Sequence, residues 1–283
     1  MKRRAVKYVT RALLRRWPLP LLDEDRGKVS RGSLLIVGGS DRTPGAVVLA
    51  GLGGLRVGAG TLQIATSRGA AAIVATAAIE ASVLALPSSP RGEISARAIP
   101  TIVRSAQTSD AIVLGPGASE PRLCAAIRSD AIWIVDASVL AGYAQRAPGK
   151  HVILTPHAGE MATLCGTKLE DVIAHPLELA VSTARELDVV VALKGRITYV
   201  ATHDGRVFAN TAGNHGLGTS GSGDVLAGVI GGLAARGADA VQAAVWGVHL
   251  HALAGDALRR RIGPLGYLAR ELLEELPRVL SRV

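Results

Sequence analysis

Short runs of branched aliphatic residues recur along this chain. Each is closed by glycine, proline or a polar residue, and most lead into a stretch with helical spacing. Gly32–Gly38 runs into Gly39, and Asp110–Leu114 into Gly115-Pro116-Gly117. Ala131–Val135 ends at Asp136, His151–Thr155 at Pro156-His157, and Val189–Leu193 at Lys194-Gly195; Thr61–Ala65 is a further run. Short continuous apolar runs of this kind are strands buried on both faces, as in a parallel sheet. Between and after them, Ala46–Val57, Ala70–Leu86, Pro121–Arg128 and residues 222–236, 238–260 and 265–280 read as helices. Thr43-Pro44 supplies an N-cap followed by proline at the first helical position. Ile197–Thr202 and Arg206–Ala209 flank Asp204-Gly205, a hairpin signal. The alternation predicts an α/β fold: a mostly parallel central sheet with helices on both faces, in three layers. No linker-like stretch divides residues 32–283, which read as a single domain.

In such folds ligands bind beyond the C-terminal ends of the strands. Gly38-Gly39, Gly115-Pro116-Gly117, Asp136, His157 and Lys194-Gly195 all fall at that edge, so the strand pattern alone converges on one cleft.

The 283 residues are 48% hydrophobic but only 3% aromatic, which suits a core of aliphatic strands and small-residue helices. Two cysteines, Cys124 and Cys165, make neither a disulfide framework nor a metal cluster, and fit buried thiols in a reducing compartment. The net charge is +9, and Lys2, Arg3, Arg4, Lys7, Arg11, Arg15 and Arg16 account for much of it. Arg11, Arg15 and Arg16 interrupt what would have to be the apolar core of a signal peptide. Residues 1–31, with Pro18, Pro20 and the acidic Asp23–Asp25, therefore read as a solvated basic arm. No apolar run is long enough to span a bilayer. Basic residues do not interleave with aromatics as in nucleic-acid binders. A cytoplasmic protein with an anionic small-molecule ligand is expected, with no nucleic acid and no membrane as partner.

The stretch Asn210–Asp224 places Gly213, Gly216, Gly218, Gly221 and Gly223 in a loop directly before an apolar helix. Glycine allows close backbone approach, and the first N–H groups of a helix suit phosphate. A carboxylate at that point, Asp224, would repel phosphate unless it accepts a proton from the attacking group; the combination points to phosphoryl transfer with a built-in base. The plainer reading makes Asp224 a helix N-cap. In Thr155–Glu160, Pro156 and Gly159 bend the chain so that His157 and Glu160 can face the cleft, and no second His or Cys lies at zinc-ligand spacing. Lys194, at a strand end opposite the glycine loop, can meet a phosphate as a point charge.

The ordered set Gly38-Gly39-Ser40, Gly115-Pro116-Gly117, Asp136-Ala137, Pro156–Glu160, Lys194-Gly195 and the loop from Gly213 to Asp224, with Gly247–Asp256 further on, resembles the ADP/ATP-dependent NAD(P)H-hydrate dehydratases of the ribokinase-like superfamily, often labelled carbohydrate kinases. The resemblance covers roughly residues 28–280. It implies repair of hydrated NADH and NADPH, with magnesium and ADP (or ATP) as co-substrate and, if ADP is used, AMP and phosphate as products. By position it assigns Ala46, Gly115, Gly117, His157 and Asp224 to the hydrate substrate. Lys194, Gly195, Arg196, Ile197, Thr198, Asn214, Gly221, Ser222 and Gly223 go to the nucleotide, and Asp224 is the catalytic base. No metal ligand is assigned; Asp136 and Glu160 are the candidates. The resemblance also implies a homo-oligomer, a tetramer.

There are departures. Ser138 stands where the family carries a second acid, which weakens the case for magnesium placement. Ala118-Ser119 alters the glycine turn, and Gly218 and Ser220 alter the loop. The 31 residues before Gly32 are too few for the epimerase domain of many relatives, so a stand-alone dehydratase is expected. Two alternatives share these features: a small-molecule kinase acting on a sugar, hydroxyethylthiazole or pyridoxal-type alcohol, and a nucleotide-binding protein without catalysis.

Overall fold

The computed structural model describes the chain except residues 1–4, 22–26, 28, 29, 128–130, 146–148 and 150. Ten strands form one sheet: β1 (Val6–Tyr8), β2 (Ser33–Val37), β3 (Thr61–Ser67), β4 (Ala81–Leu86), β5 (Ala111–Leu114), β6 (Ile132–Val135), β7 (Val152–Leu154), β8 (Val190–Leu193), β9 (Thr198–Ala201) and β10 (Val207–Asn210). Their order is β1-β10-β9-β8-β7-β6-β5-β2-β3-β4. Only β9, in the hairpin at Asp204-Gly205, runs against its neighbours.

The apolar runs are continuous because both faces are covered. Along β2, Leu34 and Ile36 enter one core while Leu35 and Val37 enter the other, as a pleat demands. One layer holds α2 (Pro44–Arg56), α3 (Ala71–Ala77), α8 (Ser222–Ala235), α9 (Ala240–Arg261) and α10 (Ala269–Leu280). The other holds α4 (Ile99–Ala106), α5 (Ala158–Cys165), α6 (Leu169–Ala174), α7 (Pro176–Glu186) and two 3-10 segments, Pro121–Ala126 and Ala137–Gln145. Helix α8 is buried over nearly its whole surface. It lies backbone to backbone on α2, where a side chain at Gly228 would run into the Ala50 carbonyl. That crossing fixes the start of α8, and with it Asp224, against the sheet.

Three expectations change. Ala70–Leu86 is not one helix: α3 stops at Ala77 and Ala81–Leu86 is the edge strand β4, paired with β3. Pro121–Arg128 is a 3-10 segment over Pro121–Ala126, and Arg128 lies outside the described residues. The arm is docked on the sheet where it is described, with Lys7, Arg11, Arg15 and Arg16 left exposed. β1 pairs in parallel with β10, and α1 (Arg11–Arg15) buries Leu14. Trp17 stacks on Phe208 at 5.8 Å, and its carbonyl accepts from Trp246 Nε1 at 3.0 Å. Asp23–Asp25, Lys2, Arg3 and Arg4 lie outside the described residues. No described helix is long and apolar enough to cross a membrane.

Candidate active site

The strand ends meet in a row, stitched by backbone bonds. Gly39 N–H donates to the Pro116 carbonyl at 2.7 Å, Asp136 N–H to Leu114 at 3.0 Å, Thr155 N–H to Val135 at 3.1 Å and Lys194 N–H to Pro156 at 2.8 Å. Gly115, at φ 129°, passes so close to the Asp136 backbone that any side chain there would collide with the Asp136 carbonyl. Beyond it the turn reaches α2: Thr43 Oγ1 donates to the Gly117 carbonyl at 2.8 Å rather than capping its own helix, and Ala46 lies against Gly117. Gly115, Gly117, Ala46, Asp136, His157 and Lys194 thus share one edge.

Asp136 is buried. Its Oδ1 accepts from Thr155 Oγ1 at 2.7 Å and from Lys194 Nζ at 3.0 Å. The chain turns sharply behind it, with Ala137 in the left-handed region at φ 57°, a strain stored beside the site. Lys194 Nζ also lies 3.7 Å from Glu160 Oε2. Burial acts to pull the ammonium down, but Asp136, Glu160 and Asp224 outweigh it and hold its pKa above the ordinary lysine value. Lys194 is therefore the hub of a charge network rather than a free point charge.

The glycine loop ends in Gly221, the N-cap of α8, at φ 86° and packed on Leu49 and Ala269. Asp224 is the third residue of the helix, so it is not the N-cap, and no side-chain cap is made there. Ser222 N–H bonds to Thr219, while helix geometry leaves the N–H groups of Gly223 and Asp224 without intrahelical partners. A side chain begun at Gly223 would sit 3.5 Å from Lys194 Nζ, so the lysine stands over the helix start. A helix N-terminus by itself favours an ionised Asp224, but its surroundings oppose this. Its carboxyl is pushed up to about 7 by burial first and then by repulsion from Asp136 and Glu160, against which Lys194 only partly works.

His157 caps α5: its Nδ1 accepts from the N–H groups of Gly159 at 3.0 Å and Glu160 at 3.3 Å, and its own N–H donates to Glu160 Oε2 at 2.8 Å. The exposed ring also lines a cavity of about 290 Å³ with Ser138, Leu140, Glu160 and Thr163. Gly195 and Arg196 are exposed at the β8–β9 turn, where Ile197 and Thr198 follow half-buried.

Two expected nucleotide residues turn inward. Asn214 Oδ1 accepts from Gly216 N–H and from Tyr267 Oη, and its Nδ2 donates to Asp256 at 3.1 Å, so this side chain holds the loop. Ser222 is buried, with its hydroxyl 3.1 Å from His251 Nε2. The same Nε2 lies 3.0 Å from the Ser222 carbonyl, which can only accept, so Nε2 carries the hydrogen. Burial lowers the His251 pKa to about 4 and keeps the ring neutral. Sequence reasoning missed His251 and the link from Thr155 to Asp136. The two histidines within the otherwise apolar run Gly247–Gly255 were the signal for the first.

Asp136 and Glu160 each already give an oxygen to Lys194 or to the α5 cap, and no cluster of three metal-ligating side chains occurs among the described residues. They fit a magnesium ion that enters on nucleotide phosphates and keeps most of its own water, which needs one or two carboxylates.

A parallel sheet with a glycine loop, a helix-start anion seat and an adjacent carboxylate defines a nucleotide-dependent enzyme of ribokinase-like architecture. A ribokinase-like superfamily protein from Enterococcus faecalis shares the fold at TM-score 0.83 and 23% identity, over 98% of this chain and 96% of that one. A family described as NAD(P)H-hydrate dehydratase matches residues 34–278, and the chain belongs to it. It is 45% identical to the ADP-dependent (S)-NAD(P)H-hydrate dehydratase of Xanthomonas campestris, over 98% of this chain and 97% of that one. The ADP/ATP-dependent dehydratase of Bacillus subtilis, co-crystallised with ATP/Mg2+, superposes at TM-score 0.85 and 32% identity, with 98% of each chain covered.

Proposed function

We propose that this protein dehydrates the (6S) hydrate of NADH and NADPH at the expense of ADP or ATP, with Asp224 as the general base. The observation that carries the mechanism is Asp224 in the first turn of α8, its carboxyl raised to about 7, beside two helix N–H groups without intrahelical partners and Lys194. A base poised near the operating pH transfers protons most effectively.

Asp224 takes the proton from the hydrate hydroxyl as that oxygen attacks the terminal phosphorus. The N–H groups of Gly223 and Asp224, with Lys194, offset the charge growing on the phosphoryl oxygens. The nucleotide leaves one phosphate shorter. The ring nitrogen lone pair then expels the phosphate to leave an iminium, and loss of a proton from the adjacent ring carbon to solvent restores the dihydropyridine. Asp136 and Glu160 are the carboxylates that would hold a magnesium ion carried in on the nucleotide, which would supply charge neutralisation at the phosphates. His157, at the cavity wall, orients the nicotinamide end. Gly195, Arg196, Ile197 and Thr198 line the nucleotide side.

Incubation with NADH hydrate, magnesium and ADP or ATP tests the reading. Return of NADH absorbance with release of one phosphate per turnover supports it. A stable phosphorylated product would instead mark an alcohol kinase. Sedimentation of the purified chain tests the proposed tetramer.

A further inference from the structure

Past the β2–β4 end of the same edge, three loops converge on one side chain. The Asp41 carboxyl accepts from Ser67 Oγ at 2.8 Å, and a Cβ at either Gly69 or Gly92 would lie 2.6 Å from its Cγ. Asp41 N–H also donates to the Gly92 carbonyl at 3.1 Å. The loops after β2, after β3 and after β4 therefore meet at a single acid, and each carries an exposed arginine next to the meeting point: Arg42, Arg68 and Arg91.

The backbone of each arginine is pinned by a serine hydroxyl. Arg42 N–H donates to Ser40 Oγ at 3.3 Å, Arg68 N–H to Ser88 Oγ at 2.8 Å and Arg91 N–H to Ser89 Oγ at 3.3 Å. None of the three guanidinium groups has an ion-pair partner among the described residues, whereas Arg122, Arg206, Arg261 and Arg278 all do. The acids nearby do not neutralise the trio. Asp41, which accepts from Ser67 Oγ, and Glu93, whose Oε2 is enclosed without a partner, offset at most two of the three positive charges.

The position relative to the reacting centre is set by the sheet. Gly117 lies just past β5 and Ala46 in the first turn of α2, and the loop from Ser40 to Thr43 joins them to the trio through Thr43 Oγ1. From β5 to β3 is two strand steps, roughly 10 Å at about 4.8 Å each. A dinucleotide with its nicotinamide ring at Ala46 and Gly117 reaches this place with its phosphates.

We propose that Arg42, Arg68 and Arg91 form the seat of the substrate's diphosphate. Planar guanidinium groups match phosphate oxygens two at a time, and three presented from separate loops can close around one diphosphate. This inference rests on the dehydratase reading and adds the residues that hold the end of the substrate remote from the chemistry. The nucleotide co-substrate is held elsewhere, at Lys194 and the start of α8.

The test is the Arg42→Gln/Arg68→Gln/Arg91→Gln triple variant, with Arg104→Gln on α4 as a surface control. With the guanidinium heads unpartnered, the triple variant melts as the parent does. Its KM for NADH hydrate rises by roughly a hundredfold, while kcat and the KM for ADP stay at parental values. The parental KM climbs with added salt and that of the variant does not. Calorimetric titration with NADH itself, without ADP, shows the same loss and does not depend on turnover. A parental KM for the hydrate, or a rise in the KM for ADP instead, overturns the assignment. If the parent fails to dehydrate NADH hydrate, the dehydratase reading falls; parental NADH affinity in the triple variant overturns the seat separately.

Discussion

The two ends of one sheet edge handle charge in opposite ways. Beyond β6–β8, Lys194 faces Asp136, Glu160 and Asp224, and every group is perturbed or paired by its neighbours. Beyond β2–β4, Arg42, Arg68 and Arg91 stand exposed without ion-pair partners among the described residues. The first arrangement stores electrostatic tension in a partly dry pocket, where a proton can be moved. The second leaves solvated charges that a ligand can neutralise. Chemistry and grip are thus separated along the edge, and the following experiments break or sharpen that separation.

Replacing Asp224 has the largest expected effect. Asp224→Asn loses turnover by roughly 10²–10⁴-fold with nucleotide binding retained, measured by single-turnover return of NADH absorbance. Stability moves the other way. The folded pKa near 7 lies above the ordinary carboxylate value of 3.8, so the parent loses stability as pH rises between the two and stays low above 7. The variant lacks that loss. Its melting temperature should exceed the parent's at pH 8 and match it near pH 4. A variant less stable than the parent at pH 8 would show that Asp224 is structurally required. In the parent, kcat/KM should fall on acidification with an apparent pKa near 7, as the base takes up its proton.

Lys194→Ala comes next. Loss of a charge-assisted contact weakens nucleotide binding by roughly ten- to hundredfold, read by calorimetry. Because Lys194 pairs with buried Asp136, the variant should also melt lower, which the sequence alone did not suggest. Removing the cation that restrains Asp224 should move the acid limb of the pH profile upward. An unmoved limb would disconnect the two residues.

His251→Ala removes the donor that ties the first turn of α8 to α9. With Asp224 less firmly placed, kcat should fall by roughly tenfold while both KM values hold. Equal loss in KM would mean general loosening instead. His157→Ala should have the smallest effect. It raises the hydrate KM several-fold without touching ADP affinity, and costs about 1 kcal/mol of stability through the lost α5 cap. Unchanged hydrate KM would restrict His157 to capping.

Much of this edge was legible in the sequence because each site residue follows its strand directly. Gly115, Asp136, His157 and Lys194 close apolar runs, and parallel strands deliver their ends to one line. What failed was what depends on distant partners. Ala81–Leu86 is alanine-rich and edge-exposed, so its composition fits a helix as well as a strand until β3 pairs with it. Val6–Tyr8 is too short, and too basic in its surroundings, to read as a strand without β10. The ionisation of Asp224 was not legible for a related reason. Position at a helix start argues for a lowered pKa, but burial first, and then repulsion from Asp136 beyond β6 and Glu160 on α5, raises it. The inward turn of Asn214 and Ser222 likewise depends on Asp256, Tyr267 and His251, residues of later elements.

The docked N-terminal segment has a further consequence for how the chain acquires its structure. Val6 pairs with Val207, Trp17 rests on Phe208, and Arg15 Nε donates to the Val283 carbonyl at 2.7 Å. Residues 6–17 thus find their partners only once Val207, Phe208 and Val283 have been made. Contacts so remote in sequence slow folding, because loop closure must precede their reward. Until then β10 stands as an open edge, and the hairpin it forms with β9 is the place where an unfinished chain would pair with a neighbour.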